Sequence, residues 1–158
     1  MRWMWIDRFE EFSPGVSAVA VKNVSLAEEH LHDHWEDFPV MPVSLMIEGM
    51  AQTSGILVGQ SRDFQEKVIL AKISKAEIAE PVVPGDQLKY HTEIVTITDQ
   101  AASTHGTVSK NGKDIGTIDL MFSHIDQNLA GTKFPEENFV FTGQFLRLLA
   151  GFVETPAK

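Results

Sequence analysis

The sequence contains no cysteine. That single absence excludes a disulfide framework, a thiolate metal site and a cysteine nucleophile, and it suits a reducing cytosol. A long hydrophobic run is missing as well. The most apolar stretch, Ser44 to Gly59, carries Glu48 and Gln52 and is shorter than the roughly 20 residues a membrane span needs. At the start of the chain, Asp7 and Arg8 interrupt the apolar residues before the core of a signal peptide could form. Positive charge is scarce: 13 Lys and Arg against 22 Asp and Glu give a net charge of −9. Such a surface has no electrostatic footprint for nucleic acid. The expectation is a soluble, cytoplasmic protein with neither a membrane nor a nucleic acid as partner.

What is present reads as one folded domain. A chain of 158 residues with 43% hydrophobic content can build a sizeable core. Arg2 to Phe12 and Val16 to Val21 are rich in strand-forming residues and flank Ser13-Pro14-Gly15, so they predict a hairpin. Leu26 to Pro42 shows no sustained period and reads as a loop, with room for one helical turn near Ala27–Leu31. Ser44 to Gln60 is the one clear helix, with Ser44 as its N-cap. It is apolar almost all round, and Gly49, Gly55 and Gly59 suggest close packing against another backbone.

From Lys67 onward the pattern is strands: Val68 to Ile78, Leu88 to Thr98, Ala102 to Ser109 and Ile115 to Ile125. Asn111-Gly112 is the strongest hairpin signal among them. A hairpin, one buried helix and an antiparallel meander make an α+β layer arrangement. The domain is expected over 1–125, with 126–158 as a C-terminal extension. In that extension Phe141, Phe145, Leu148, Leu149 and Phe152 fall at helical spacing. They predict a short amphipathic helix packed on the domain; a flap over a ligand tunnel and a contact with a neighbouring subunit are the sharper alternatives.

The chemistry concentrates between His34 and Gln52. A histidine in a loop precedes Pro39 and Pro42, which stiffen the chain, and then a helix whose second turn bears a lone carboxylate, Glu48. Burying a carboxyl group is costly unless it is neutral or paired, and burial favours its protonated form. An imidazole accepts a proton near neutrality. A base and an acid so arranged suit an elimination, in which one removes an α-proton and the other protonates the departing hydroxyl. Backbone N–H groups at Val43 and Ser44 lack intrahelical partners and would stabilise negative charge on a carbonyl oxygen.

His34, Pro39-Val40-Met41-Pro42 and Glu48-Gly49-Met50-Ala51-Gln52 stand in one gap-free segment, and Lys75-Ala76 leads to Pro81-Val82-Val83-Pro84-Gly85-Asp86-Gln87-Leu88. In these motifs the chain resembles the 3-hydroxyacyl-acyl carrier protein dehydratases of the FabZ/FabA family, over roughly Met1 to Ile125. The resemblance implies a hot-dog fold, a long central helix wrapped by an antiparallel β-sheet, in a homodimer or trimer of dimers. It implies His34 as base and Glu48 as acid, supplied by different subunits, with no cofactor and no metal. Met41, Val43, Ser44 and Gln52 would line the substrate. A glutamate, where the FabA branch has an aspartate, implies dehydration without double-bond isomerisation.

Three departures stand out. Trp35-Glu36-Asp37 replaces a Phe-Pro-Gly-like stretch. Val43 replaces a glycine. Glu77-Ile78-Ala79-Glu80 is acidic where relatives often carry arginines that could meet an acyl carrier protein, so a coenzyme A thioester stays open as substrate. A hot-dog thioesterase and a non-catalytic acyl-binding protein are the rival readings. Plainer roles are also available. Met41, Met46 and Met50 suit the core, and His30 and His32 read as surface residues. Gln52 either orients a catalytic group or satisfies a buried neighbour. Glu28, His30, His32 and His34 alternate as metal ligands might, yet no metal is expected.

Overall fold

The computed structural model describes residues 3–31, 37–125, 135, 140–141 and 143–152, apart from the side chain of residue 144. Strands β1 (Arg8–Ser13) and β2 (Ser17–Asn23) form the N-terminal hairpin, turning at Gly15 with φ +69°. A single 3-10 turn, Glu29–Leu31, precedes the long helix α1 (Val43–Gln60). Four long strands follow: β3 (Val68–Ile78), β4 (Gln87–Ile97), β5 (Ala101–Lys110) and β6 (Lys113–His124), and then a short helix α2 (Gly143–Arg147).

The six strands make one antiparallel sheet in the order β1-β2-β4-β5-β6-β3. The expected meander holds for β4, β5 and β6. It fails for β3, which leaves the position beside β4 and pairs with β6 at the far edge. That placement lets β2 pair with β4 and gives α1 a continuous floor from β2 across to β3. This is the hot-dog arrangement of one helix held by one antiparallel sheet.

Alternation explains which face meets the helix. Leu88, Tyr90 and Thr92 of β4, Ala102, Thr104 and Val108 of β5, and Ile118, Leu120 and Phe122 of β6 are buried at every second position. Period-two spacing puts them on one side of the sheet. Met46, Met50, Leu57 and Val58 of α1 fill the space above them. Each such side chain contributes roughly 1.5–3 kcal/mol on burial.

Two of the helix glycines mark close packing, against aromatic side chains rather than against another backbone. A methyl group added at Gly49 would lie 2.6 Å from the Tyr90 ring, and one at Gly59 would lie 2.3 Å from the Phe141 ring. Gly55 is different: its nearest neighbour, the Phe122 ring, is at an ordinary 3.5 Å. The turn at Asn111-Gly112 has φ +51° and +85°, as a type I′ hairpin turn requires.

Two expectations are corrected. Helix α1 begins one residue earlier than its pattern suggests. Pro42 is the N-cap, its carbonyl accepting from the Leu45 and Met46 N–H groups at 3.0 and 3.4 Å, and Ser44 lies inside the first turn without a capping bond. Proline serves here because a residue at the boundary needs no N–H of its own. His30 is not a surface residue. Its ring packs edge-on against Trp5 with centroids 5.1 Å apart, beside Glu28 at 3.5 Å. Burial pushes its imidazole below the ordinary range, against the opposing pull of Glu28.

Candidate active site

Glu48 sits in the second turn of α1, half-buried at the mouth of a cavity of about 260 Å³. Two neutral donors converge on one of its oxygens. The Gln52 Nε2 donates to Glu48 Oε1 at 2.9 Å, and the Trp3 indole Nε1–H donates to the same atom at 3.0 Å. Glu48 and Gln52 are four apart on one helix, so their side chains lie on the same face.

Gln52 in turn is held by the N-terminal segment. Its Oε1 accepts from the Trp5 backbone N–H at 2.8 Å, and its Nε2 also donates to the Trp3 carbonyl at 3.0 Å. Gln52 is 7% exposed. The amide therefore ties residues 3–5 to the helix and fixes the carboxyl group at the same time. Beneath it, Tyr90 fills the notch left by Gly49, and burial raises its phenol well above the ordinary value.

The cavity beyond Glu48 is apolar. Ala51, Gly55 and Ile56 form its helix wall, and Val68, Ile69, Leu70 and Phe122 form its sheet wall. Val140, Phe141 and Phe145 complete it from the C-terminal segment. A second cavity, of about 350 Å³, lies at the N-terminus of α1 and is lined by Met41, Pro42, Val43 and Met46 with Ile78 and Glu80 opposite. Val43 is 45% exposed, and as the first helical residue its N–H has no intrahelical partner.

The residues singled out in the sequence are thus divided. Glu48 and Gln52 share the first cavity; Met41 and Val43 share the second. Met41 is 2% exposed and belongs to the core as well. Ser44 is exposed on the first turn of the helix. His34, with Trp35 and Glu36 of the first departure, lies outside the described residues. Sequence reasoning missed Trp3, which reaches Glu48 across 45 positions of chain. No local pattern marks such a contact.

Residues 2–119 match the model of the FabA-like domain. The chain belongs to the FabA-like family. A protein of Halalkalibacterium halodurans named 3-hydroxyacyl-[acyl-carrier-protein] dehydratase FabZ is 36% identical over 122 residues, 77% of this chain and 87% of that protein. A protein of the same name from Clostridium kluyveri is 35% identical over 127 residues, 80% of this chain and 88% of its own length. Among solved structures, the dehydratase heterocomplex ApeI:P of Xenorhabdus doucetiae matches with a TM-score of 0.66 at 16% identity, over 81% of this chain and 90% of that one. A hypothetical thioesterase protein of Streptococcus pneumoniae, solved with coenzyme A, matches with a TM-score of 0.61 at 11% identity, over 73% and 83%. Identities this low speak for the fold alone. Glu48 and Gln52 fall inside the FabA-like match, whereas Val140, Phe141 and Phe145 lie beyond its last residue.

Proposed function

We propose that this chain dehydrates (3R)-3-hydroxyacyl thioesters carried by acyl carrier protein to trans-2-enoyl thioesters, in fatty-acid or related lipid biosynthesis. The observation that carries the reading is a carboxyl group held at the polar end of an otherwise apolar cavity, in a chain of the FabA-like family. His34 removes the α-proton. Glu48 protonates the departing 3-hydroxyl, which leaves as water. The Val43 N–H polarises the thioester carbonyl at the start of the helix, where the dipole adds positive potential. Two donors occupy Glu48 Oε1, so Oε2 is the oxygen that hands over the proton. Gln52 acts as a positioning residue, its amide engaged by Glu48 and by the backbone of Trp3 and Trp5.

The division of the site residues between two cavities supports a homodimer. Glu48 and Val43 are five apart on one helix and open into different cavities. One small substrate meets both if the Glu48 cavity of one subunit abuts the Val43 cavity of another. The trimer of dimers would build on the same pairing.

The acidic departure at Glu77-Ile78-Ala79-Glu80 is locally balanced. Glu80 lies between Lys110 at 3.2 Å and Lys113, and both lysines hold its carboxyl below the usual range. Glu77 pairs with Lys75 at 3.0 Å. These pairings lessen the repulsion that an acidic carrier protein would meet there, and the names of the relatives favour that carrier. Hydration of enoyl thioesters, followed as loss of the conjugated absorbance, should run on both carriers with higher kcat/KM on acyl carrier protein. Release of free thiol without hydration would replace this reading with a thioesterase.

Trp3→Phe gives a separate expectation. Phenylalanine keeps an aromatic ring beside Trp5 but loses the N–H donor together with the second ring of the indole. A single hydrogen bond of about 0.5–1.5 kcal/mol corresponds to a fall in kcat of about two- to tenfold. KM and melting temperature should stay unchanged, which separates positioning of Glu48 from a general packing role. An unaltered kcat would remove Trp3 from the site.

A further inference from the structure

The cavity beyond Glu48 has a third wall that the FabA-like match does not reach. Val140, Phe141 and Phe145 line it, and they follow the sheet by sixteen residues or more. Where Phe141 stands along the helix decides what that wall does. Its ring fills the space over Gly59, where an added methyl group would lie 2.3–2.9 Å from three ring carbons, and it stacks edge-on against Phe64 with centroids 5.1 Å apart. Gly59 is eleven residues beyond Glu48 on α1, or about 16 Å along the axis at 1.5 Å per residue. The carboxyl group and Phe141 therefore mark opposite ends of one apolar space. Phe141 is itself 8% exposed, and Leu149, past α2, is fully buried, so this segment is anchored against the core.

We propose that the C-terminal segment closes the distal end of the acyl cavity, and that Phe141 and Phe145 set the longest acyl chain the protein accepts. The inference rests on the dehydratase reading for the nature of the chain, since Glu48 fixes the end at which the 3-hydroxyl must lie. An unbranched acyl chain is the occupant that fits: its reacting carbons stay at the polar mouth, and every further methylene must run along Ala51, Gly55 and Ile56 toward Phe141. Gly55 leaves that path open by having no side chain, with the Phe122 ring as its nearest neighbour. Charged or polar ligands find no partner beyond Glu48 and Gln52 among the lining residues.

The test follows binding and turnover together. Saturated acyl thioesters of increasing length are titrated calorimetrically into wild type, Phe141→Ala, Phe145→Ala and Phe141→Leu, and the matching enoyl thioesters are assayed for hydration. In wild type, affinity and kcat/KM rise with each methylene and then break off. In both alanine variants the break moves to longer chains, with about tenfold or greater gain at the first length wild type rejects. Short chains are little affected. Phe141→Leu, which keeps an apolar branch against Phe64, moves the break in the same direction by less and guards against unfolding of the alanine variant. A break at the same length in every folded variant overturns the proposal. Length-dependent binding without turnover would overturn the dehydratase reading and still decide this one; no binding of any acyl thioester overturns both.

Discussion

Glu48→Gln and His34→Ala each lower kcat by about 10²- to 10⁴-fold, the usual contribution of a positioned acid or base. The glutamine variant isolates proton donation because its amide oxygen still accepts from Trp3 Nε1 and Gln52 Nε2, the two donors that hold Glu48. Neither the fold nor the apolar cavity should change. Mixing the two inactive variants gives the sharper result. If each site takes its base from one subunit and its acid from the other, a mixed dimer has one site with both defects and one site with none. Random reassortment of equal amounts makes half the dimers mixed, so about a quarter of wild-type activity returns, as two-fold symmetry dictates. A site built within one subunit regains nothing on mixing. Measuring kcat/KM after denaturing and refolding the variants together and apart distinguishes the two, and persistent full activity in either single variant would remove that residue from the mechanism.

Much of this arrangement is legible in the sequence because it is local. Strand β3 begins and ends at the expected residues, since Pro81, Pro84 and Gly85 leave no room for it to continue. The Asn111-Gly112 turn is set by two residues that tolerate positive φ. Helix α1 shows itself as an apolar run with one acid in it. What escapes is whatever depends on distant partners. Strand order is such a property: nothing within Val68–Ile78 says that it will pair with β6 rather than β4. His30 has a polar neighbourhood in sequence and a Trp5 ring in space. The cap at Pro42 is a contest between two adjacent residues, decided by where the chain enters the helix rather than by the hydroxyl of Ser44. In the site, Glu48 and Gln52 are legible as a helical pair, but the donor from Trp3 arrives through the fold of the N-terminal segment. Even the extension divides in this way. Its aromatic spacing suggests a helix, and α2 spans only Gly143–Arg147; the packing of Phe141 over Gly59 and the burial of Leu149 come from partners distant in the sequence.

If the proposed dimer forms through β3, Ile73→Lys yields a monomer and lowers kcat/KM by two orders of magnitude or more, as complete loss of the acid or base from each site would. Among the described residues, strand β3 pairs with β6 along one side only, and nine of its eleven positions are exposed. Ile69, Leu70 and Ile73 are 37%, 38% and 45% exposed on it. An exposed edge strand bearing apolar side chains is a template for pairing, and natural proteins cover or blunt such edges. Covering it with β3 of a second copy, antiparallel about a two-fold axis, extends the sheet and buries those side chains. The same strand lines the Glu48 cavity through Val68, Ile69 and Leu70, so a partner docked there stands beside the acid and brings its own helix start toward it. Ile73 is the midpoint of Val68–Ile78 and would face its symmetry mate. A lysine there sets two like charges opposite each other, which cross-strand pairing disfavours. Sedimentation velocity reads the association state and the hydration assay reads the site. A monomer with undiminished activity would place acid and base within one subunit; a dimer untouched by the lysine would move the interface off β3.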